Sequence, residues 1–445
     1  MKVKVCDAIM GAGKTSAAIN MMNRNPGRRY MFITPYLNEI DRIQAACPDL
    51  CFCEPMMAGG RTKGQHLDEL LSRGYNVAST HALFSRCRME TLELIRAGGY
   101  TLILDEVMNV IEPVGVQGGD ARALFSKGFL AMDDDGLHVK WMADDYEGAA
   151  FQDIMHKAQM GNLIFFENSF LFWSFPVRCF EAFEDVVILT YLFKAQVQCY
   201  YYELNGIEVE YIGTRKCDDG YEFCETLEIP AYTKDLINKV HIINDEKLND
   251  IGRHAGRTHK PTTVLRDTTL SASWYKDHPP LGDDEVKARA KAAAESGRKR
   301  KKSGPRKDAD LVARNMINIF KNQWKCRTSD VIWTVFKNQY SLFSKRGFKH
   351  SFVSCTVRAT NMYQDRHYLA YCINVFYDVR LTRYFQCRGV DIDQDMYALS
   401  EMVQWIWRSA IRKGEDIWIY VPSIRMRTLL TTWLAELAKD TKEEQ

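Results

Sequence analysis

Short apolar runs alternate with amphipathic stretches through the first quarter of the chain. Val3-Lys4-Val5-Cys6 reads as a strand, and Thr15-Ser16-Ala17-Ala18-Ile19 opens a helix after a glycine turn. Arg29 to Tyr36 is a second apolar run that ends in a loop, and Asn38 to Ile43 has helical spacing. Asn76 to Phe84 is strand-like and carries Ser79-Thr80, while Tyr100 to Val107 closes on Asp105-Glu106. Strands that alternate with helices and end in Thr, Ser or Asp predict an α/β fold with a parallel sheet. Ligands of such sheets bind beyond the carboxyl ends of the strands.

The span from Asp105 to Thr190 is too long for one strand–helix step. Ala131 to Trp141 has the pattern of a hairpin around an Asp-Gly turn, and Ala149 to Met160 that of a helix. We read residues 113–170 as an insertion, before Val186 to Phe193 supplies a further core strand. Texture changes between Asn249 and Asp310, where seven of the ten residues from Arg298 to Lys307 are basic. A run led by Arg298, Lys299 and Arg300 can grip a phosphate backbone through counterion release.

Strand patterns return at Asp330 to Lys337, Phe352 to Asn361, Tyr368 to Phe376 and Ile417 to Val421, with helices expected at Met396 to Ile411 and Met426 to Leu437. The expected division is a first lobe at residues 1–215, a linker or insertion at 216–310 and a second lobe at 311–445.

Composition changes this picture little. Hydrophobic residues make up 46% and the net charge is +2, so any nucleic-acid surface must be a local patch. The 13 cysteines form no C-x-x-C pair, which argues against zinc ribbons and for reduced thiols in a cytoplasmic setting. No apolar run is long enough to span a membrane, and nothing resembles a signal peptide.

Candidate chemistry starts at Ala8-Ile9-Met10-Gly11-Ala12-Gly13-Lys14-Thr15-Ser16. Glycines at 11 and 13 let backbone N–H groups curl around a phosphate, Lys14 can reach its oxygens, and the Thr15 hydroxyl can hold Mg²⁺. Asp105 falls on the same sheet edge and can hold the same metal through water, while Glu106 can orient or deprotonate an attacking water. Far downstream, helical spacing puts Gln404, Arg408 and Arg412 on one face, interleaved with Trp405, Trp407 and Ile411. Two aligned guanidiniums suit the charge of a transferring phosphoryl group.

Taken together, these motifs resemble superfamily 2 DNA/RNA helicases, in particular the DEAD/DEAH-box-like replication helicases of tailed bacteriophages and prophages. The glycine loop matches motif I, Thr34-Pro35-Tyr36 is similar to motif Ia, and Ser79-Thr80-His81 stands where a strand-contacting motif is expected. Asp105-Glu106-Val107-Met108 resembles the Asp-Glu box, with Met108 in place of its last polar residue. Leu189-Thr190-Tyr191, Arg358-Ala359-Thr360-Asn361 and Gln404 to Arg412 take the places of later motifs.

The resemblance implies two RecA-like parallel-sheet lobes of the P-loop NTPase class, with ATP and Mg²⁺ between them. Gly11, Ala12, Gly13, Lys14, Thr15 and Ser16 would bind the nucleotide, and Thr15 with Asp105 the metal. Glu106, Gln404, Arg408 and Arg412 would serve hydrolysis; Thr34, Tyr36, Thr80, Thr334, Lys337, Arg358 and Asn361 would hold a strand. The implied partner is single-stranded or forked DNA, with RNA as an alternative and replication proteins as companions, in the cytoplasm of a phage host.

Three rivals share the loop. A terminase-like DNA-packaging ATPase needs a nuclease carboxylate cluster, for which Asp391, Asp393 and Asp395 are the candidates. A nucleoside kinase of the thymidine kinase type would be shorter and carry zinc cysteines. An ATP-gated nucleic-acid-binding module would hydrolyse without unwinding.

Overall fold

The computed structural model describes residues 1–57, 59–116, 118–143, 145–226, 230, 232–249, 251, 264–278, 309–344, 347–355 and 362–440. The chain forms two compact units, Met1–Glu228 with Tyr377–Asp393, and Ile229–Phe376 with Gln394–Gln445.

In the first unit β1 (Lys2–Asp7) leads through a loop to α1 (Lys14–Arg24), and β2 (Arg29–Thr34) to α2 (Leu37–Ala46). β3 (Val77–Thr80), β4 (Tyr100–Asp105) and β5 (Asp185–Thr190) follow, then helix α3 (Val197–Leu204) and the strands β6 (Glu208–Cys217) and β7 (Gly220–Cys224). They form one seven-stranded sheet in the order β7-β6-β1-β5-β4-β2-β3. Only β7 runs antiparallel to its neighbour. Tyr100 to Leu104 are all buried, as expected of a parallel strand covered on both faces.

The register aligns the strand ends that matter. Asp7 pairs with Thr190, Leu189 with Asp105, and Thr34 with Thr80. The carboxyl ends of β1, β2, β3, β4 and β5 therefore share one edge.

Between β4 and β5 lies a three-stranded antiparallel sheet of Ile111–Pro113, Phe170–Ser174 and Leu163–Phe166, whose first and last strands in chain order reach past the bounds 113–170 expected for the insertion. Beside it lie the hairpin of Leu130–Met132 and Val139–Trp141 and the helix Gln152–Gln159. Against these strands packs α4 (Val379–Gln386), whose Tyr384 ring meets Phe166 at 5.5 Å and Phe172 at 5.3 Å. Arg388 lies over the Tyr384 ring at 4.0 Å, and Arg383 pairs with Glu167 at 2.8 Å.

Among the described residues the second unit is built on four parallel strands, β8 (Val240–Ile242), β9 (Val331–Thr334), β10 (Tyr368–Tyr371) and β11 (Ile417–Tyr420), in the order β8-β11-β10-β9. Its helices include α5 (Gln394–Ile406) and α6 (Ile424–Asp440). Arg425, at the start of α6, is fully buried. Its guanidinium bonds Asp395, the Asn374 side chain and the carbonyls of Val375 and Gln394, at 2.7–2.9 Å.

Four expectations need correction. The helix expected from Met396 to Ile411 ends at Ile406, and a separate 3₁₀ turn covers Ala410–Lys413. Of the strand expected from Phe352 to Asn361, the described residues 352–355 form only a single bridge, from Phe352 to Trp333, and residues 356–361 lie outside the described residues. Residues 216–224 belong to the first unit because β7 pairs with β6, whereas 240–242 belong to the second because β8 pairs with β11. Residues 377–393 return to the first unit, which sequence spacing did not foretell.

Candidate functional site

The loop between β1 and α1 uses two left-handed residues, Gly11 at φ 89° and Gly13 at φ 80°. L side chains resist that conformation, so these glycines are required by the backbone itself. Gly13 is the N-cap of α1, and no side chain caps the helix. The first-turn N–H groups of a helix lack intrahelical partners and carry its positive dipole end, which favours an anion there. Gly11 is exposed, Ala12 is buried, and Gly13, Lys14, Thr15 and Ser16 are half-buried. Lys14 curls inward, its Nζ donating to the carbonyls of Ala8 at 2.6 Å and Ile9 at 3.3 Å.

Asp105, at the end of β4, is the centre of the opposite wall. Its carboxylate accepts from the hydroxyls of Thr15 and Thr34, both at 3.4 Å. Burial pushes its pKa up to about 7, and the charges of Glu106 and Glu39 push the same way against Lys14 and Arg42. A carboxylate this short of positive charge, beside a hydroxyl on the first helical turn, is a donor set that fits a divalent cation. Glu106 stands next to it at φ 68°, a left-handed conformation that costs on the order of 1 kcal/mol for a residue with a Cβ. Its N–H donates to Leu189 at 2.9 Å, and its carboxylate accepts from the Thr190 hydroxyl at 3.4 Å.

An acid whose pKa is higher in the folded than in the unfolded chain keeps more protons when folded. The stability it confers is complete below its ordinary value near 3.8 and is lost as pH rises through about 7. Thermal melts in EDTA should therefore show a fall in stability across that window, which Asp105→Asn flattens. Mg²⁺ should restore stability increasingly over the same window, because it competes with the proton. Equal falls in both proteins would put the titration on another group.

Two features of this edge escaped the sequence reading. Asp7 accepts from the N–H groups of Leu192 at 2.7 Å and Phe193 at 2.9 Å, tying the end of β1 to the turn after β5; burial nonetheless raises its pKa. The β6–β7 hairpin reaches the loop, with the Thr214 hydroxyl donating to the Ala12 carbonyl at 2.7 Å and Tyr221 lying against Gly13. The alternation before Asp218-Asp219-Gly220 was the available signal for that hairpin.

The remaining candidates are spread more widely. Thr34 is fully buried with its hydroxyl on Asp105, which corrects its assignment as a strand contact. Tyr36 and Thr80 are half-buried at the same edge, and the adjacent His81 ring lies 3.2 Å from the Asp105 carbonyl. In the second unit Thr334 is also fully buried, so it is no surface contact either, while Lys337 is exposed.

Gln404 is half-buried in α5, Arg408 is buried beyond its end, and Arg412 is exposed in the 3₁₀ turn. Because α5 stops at Ile406, these three do not share the single helical face that spacing suggested. Arg298, Lys299, Arg300, Arg358 and Asn361 lie outside the described residues. Among the described residues no three His, Cys, Asp or Glu side chains gather as a metal cluster. No helix among them is long and apolar enough to cross a membrane.

Comparison with known proteins adds a family. Residues 234–434 match the model of the YonV C-terminal Rossmann-like domain, and residues 111–173 that of the YonV middle domain. An SPbeta prophage-derived uncharacterized protein, YonV of Bacillus subtilis (strain 168), is 37% identical over 444 residues, covering 97% of this chain and 98% of that one. Among solved structures, an XPD helicase superposes with a TM-score of 0.41 at 10% identity, over 98% of this chain and 95% of that one. The S. tokodaii protein Xpd4 gives 0.43 at 9% identity, over 97% and 94%. Likenesses of that size bear on neither ligand nor reaction. Full-length identity to the B. subtilis protein, with both domain matches, shows that the chain belongs to the YonV family.

Proposed function

We propose that this chain is an ATP-dependent nucleic-acid motor of the helicase type, with Mg-ATP held at the edge formed by β1, β4 and β5. The observation that carries the nucleotide half is the Thr15–Asp105 contact at 3.4 Å beside Lys14, with Glu106 next to Asp105. Lys14 and the first-turn N–H groups of α1 would bind phosphate oxygens, Thr15 and Asp105 would hold Mg²⁺, and Glu106 would orient or deprotonate water. The metal's contribution is to neutralise charge on the transferring phosphoryl group.

The nucleic-acid half rests on the helicase-like motif order and on the basic run from Arg298 to Lys307. Contacts made through such residues are mainly to phosphates, hence tolerant of sequence. A prophage-derived relative agrees with work on phage DNA in replication or recombination. The packaging alternative is weakened because Asp395, one of its three carboxylates, is engaged by Arg425.

The test is ATP turnover by the full chain with no nucleic acid and with single-stranded, duplex and forked DNA, followed by fork unwinding. Stimulation by single strands is expected. Turnover indifferent to every strand would leave a gated module or a kinase instead. Gln404, Arg408 and Arg412 are also proposed to serve hydrolysis. Arg412→Ala is the informative change because Arg412 is exposed; it should lower turnover with nucleotide affinity retained.

A further inference from the structure

The β6–β7 hairpin touches the phosphate loop and the helix behind it at several points. The Thr214 hydroxyl, buried, donates to the Ala12 carbonyl at 2.7 Å. The ring of Tyr221 covers Gly13 so closely that a Cβ built there would overlap its first ring carbons and lie 2.6 Å from Cδ2. Behind the loop, Asn20 of α1 donates to the carbonyls of Asp219 at 3.0 Å and Tyr221 at 2.9 Å, and Arg24 pairs with Glu222 at 3.2 Å.

We infer that this hairpin is a clamp on the phosphate loop and that Tyr221 is a positioning residue for phosphate binding, acting through Gly13. The inference rests on the nucleotide reading of the loop. In a trans peptide the C=O and the following N–H point in opposite directions. By holding the Ala12 carbonyl, Thr214 fixes the Ala12–Gly13 peptide plane and turns the Gly13 N–H away from the hairpin. That is the direction from which an anion must be gripped if the loop is to cradle it. Tyr221 bears on the next residue, whose left-handed backbone is otherwise the easiest point at which the loop can change shape. A glycine is therefore needed at 13 for two reasons: its φ of 80°, and the space that the ring already fills. Asn20 and Arg24 keep the hairpin in step with α1, so loop, helix and clamp move as one body.

The experiment measures binding of inorganic tripolyphosphate and of Mg-ATP to the full chain by calorimetry. Tyr221→Phe, Tyr221→Ala, Gly13→Ala and the Gly13→Ala/Tyr221→Ala double variant are compared with the unaltered protein. Tyr221→Phe keeps the ring and should bind as the unaltered chain does. Tyr221→Ala should weaken both ligands about tenfold, a factor within the range by which two protein residues in contact, here Tyr221 and Gly13, couple to one another. Gly13→Ala should cost several-fold less in the Tyr221→Ala background than alone, because the overlap is gone and only the backbone strain remains. Additive losses would overturn the clamp while leaving the nucleotide site standing. If the unaltered chain bound neither ligand, the nucleotide reading itself would fall. Should Gly13→Ala not fold, the Phe and Ala variants of Tyr221 decide alone: equal affinities sink the inference.

Discussion

Lys14→Ala should reduce ATP turnover by about 100-fold or more, the loss typical when one preorganised donor to transition-state charge is removed. The fold should survive. Among the described residues the Lys14 side chain makes two bonds, to the carbonyls of Ala8 at 2.6 Å and Ile9 at 3.3 Å, and bonds from a charged donor are worth about 1.5–3 kcal/mol each, the longer one toward the low end. The ammonium group is held inside its own loop by the Ala8 and Ile9 carbonyls, partners that it can exchange for phosphate oxygens. Turnover, nucleotide affinity and thermal midpoint measured on one preparation separate these effects. A variant with the original turnover and an unchanged midpoint would remove the loop from the reaction altogether.

Arg425→Ala should destabilise the second unit by about 3 kcal/mol: its partner Asp395 is 36% exposed and can be rehydrated, but each buried acceptor left without its donor costs about 1–3 kcal/mol. The fully buried guanidinium bonds Asp395, Asn374 and two backbone carbonyls, so its removal takes one donor group from several acceptors together. Asn374 also donates to the carbonyls of Asp267 and Thr269, so the loss spreads to the segment leading into the helix Ala272–Asp277. Arg425→Lys should recover only part of the stability, because an ammonium group cannot reproduce the planar fork. Urea unfolding followed by tryptophan fluorescence reads this. A loss under about 1 kcal/mol would mean that water replaces the network freely.

How much of this was legible beforehand depended on how local each signal was. The β1–loop–α1 unit and the Asp105-Glu106 strand end were readable because glycine spacing and apolar runs act over a few residues. The end of α5 was hidden, since Trp405, Ile406 and Trp407 continue the apolar pattern past the point where the helix stops. Thr34 was assigned by motif position, yet burial turns its hydroxyl onto Asp105. Tyr221 could not be found by spacing at all. Its ring meets Gly13 across some two hundred residues, and only the pairing of β6 with β1 brings them together.

The return of residues 377–393 to the first unit has a consequence for how the molecule is made. A ribosome releases α4 only after most of the second unit's sequence has emerged. Phe166 and Phe172 therefore wait for Tyr384 through much of synthesis, with part of their aromatic surface uncovered. Nor can a single cut of the polypeptide separate the two units, since each is assembled from two stretches of chain. An excised amino-terminal half lacks its final helix, and so arrives with an apolar face that the complete protein never shows.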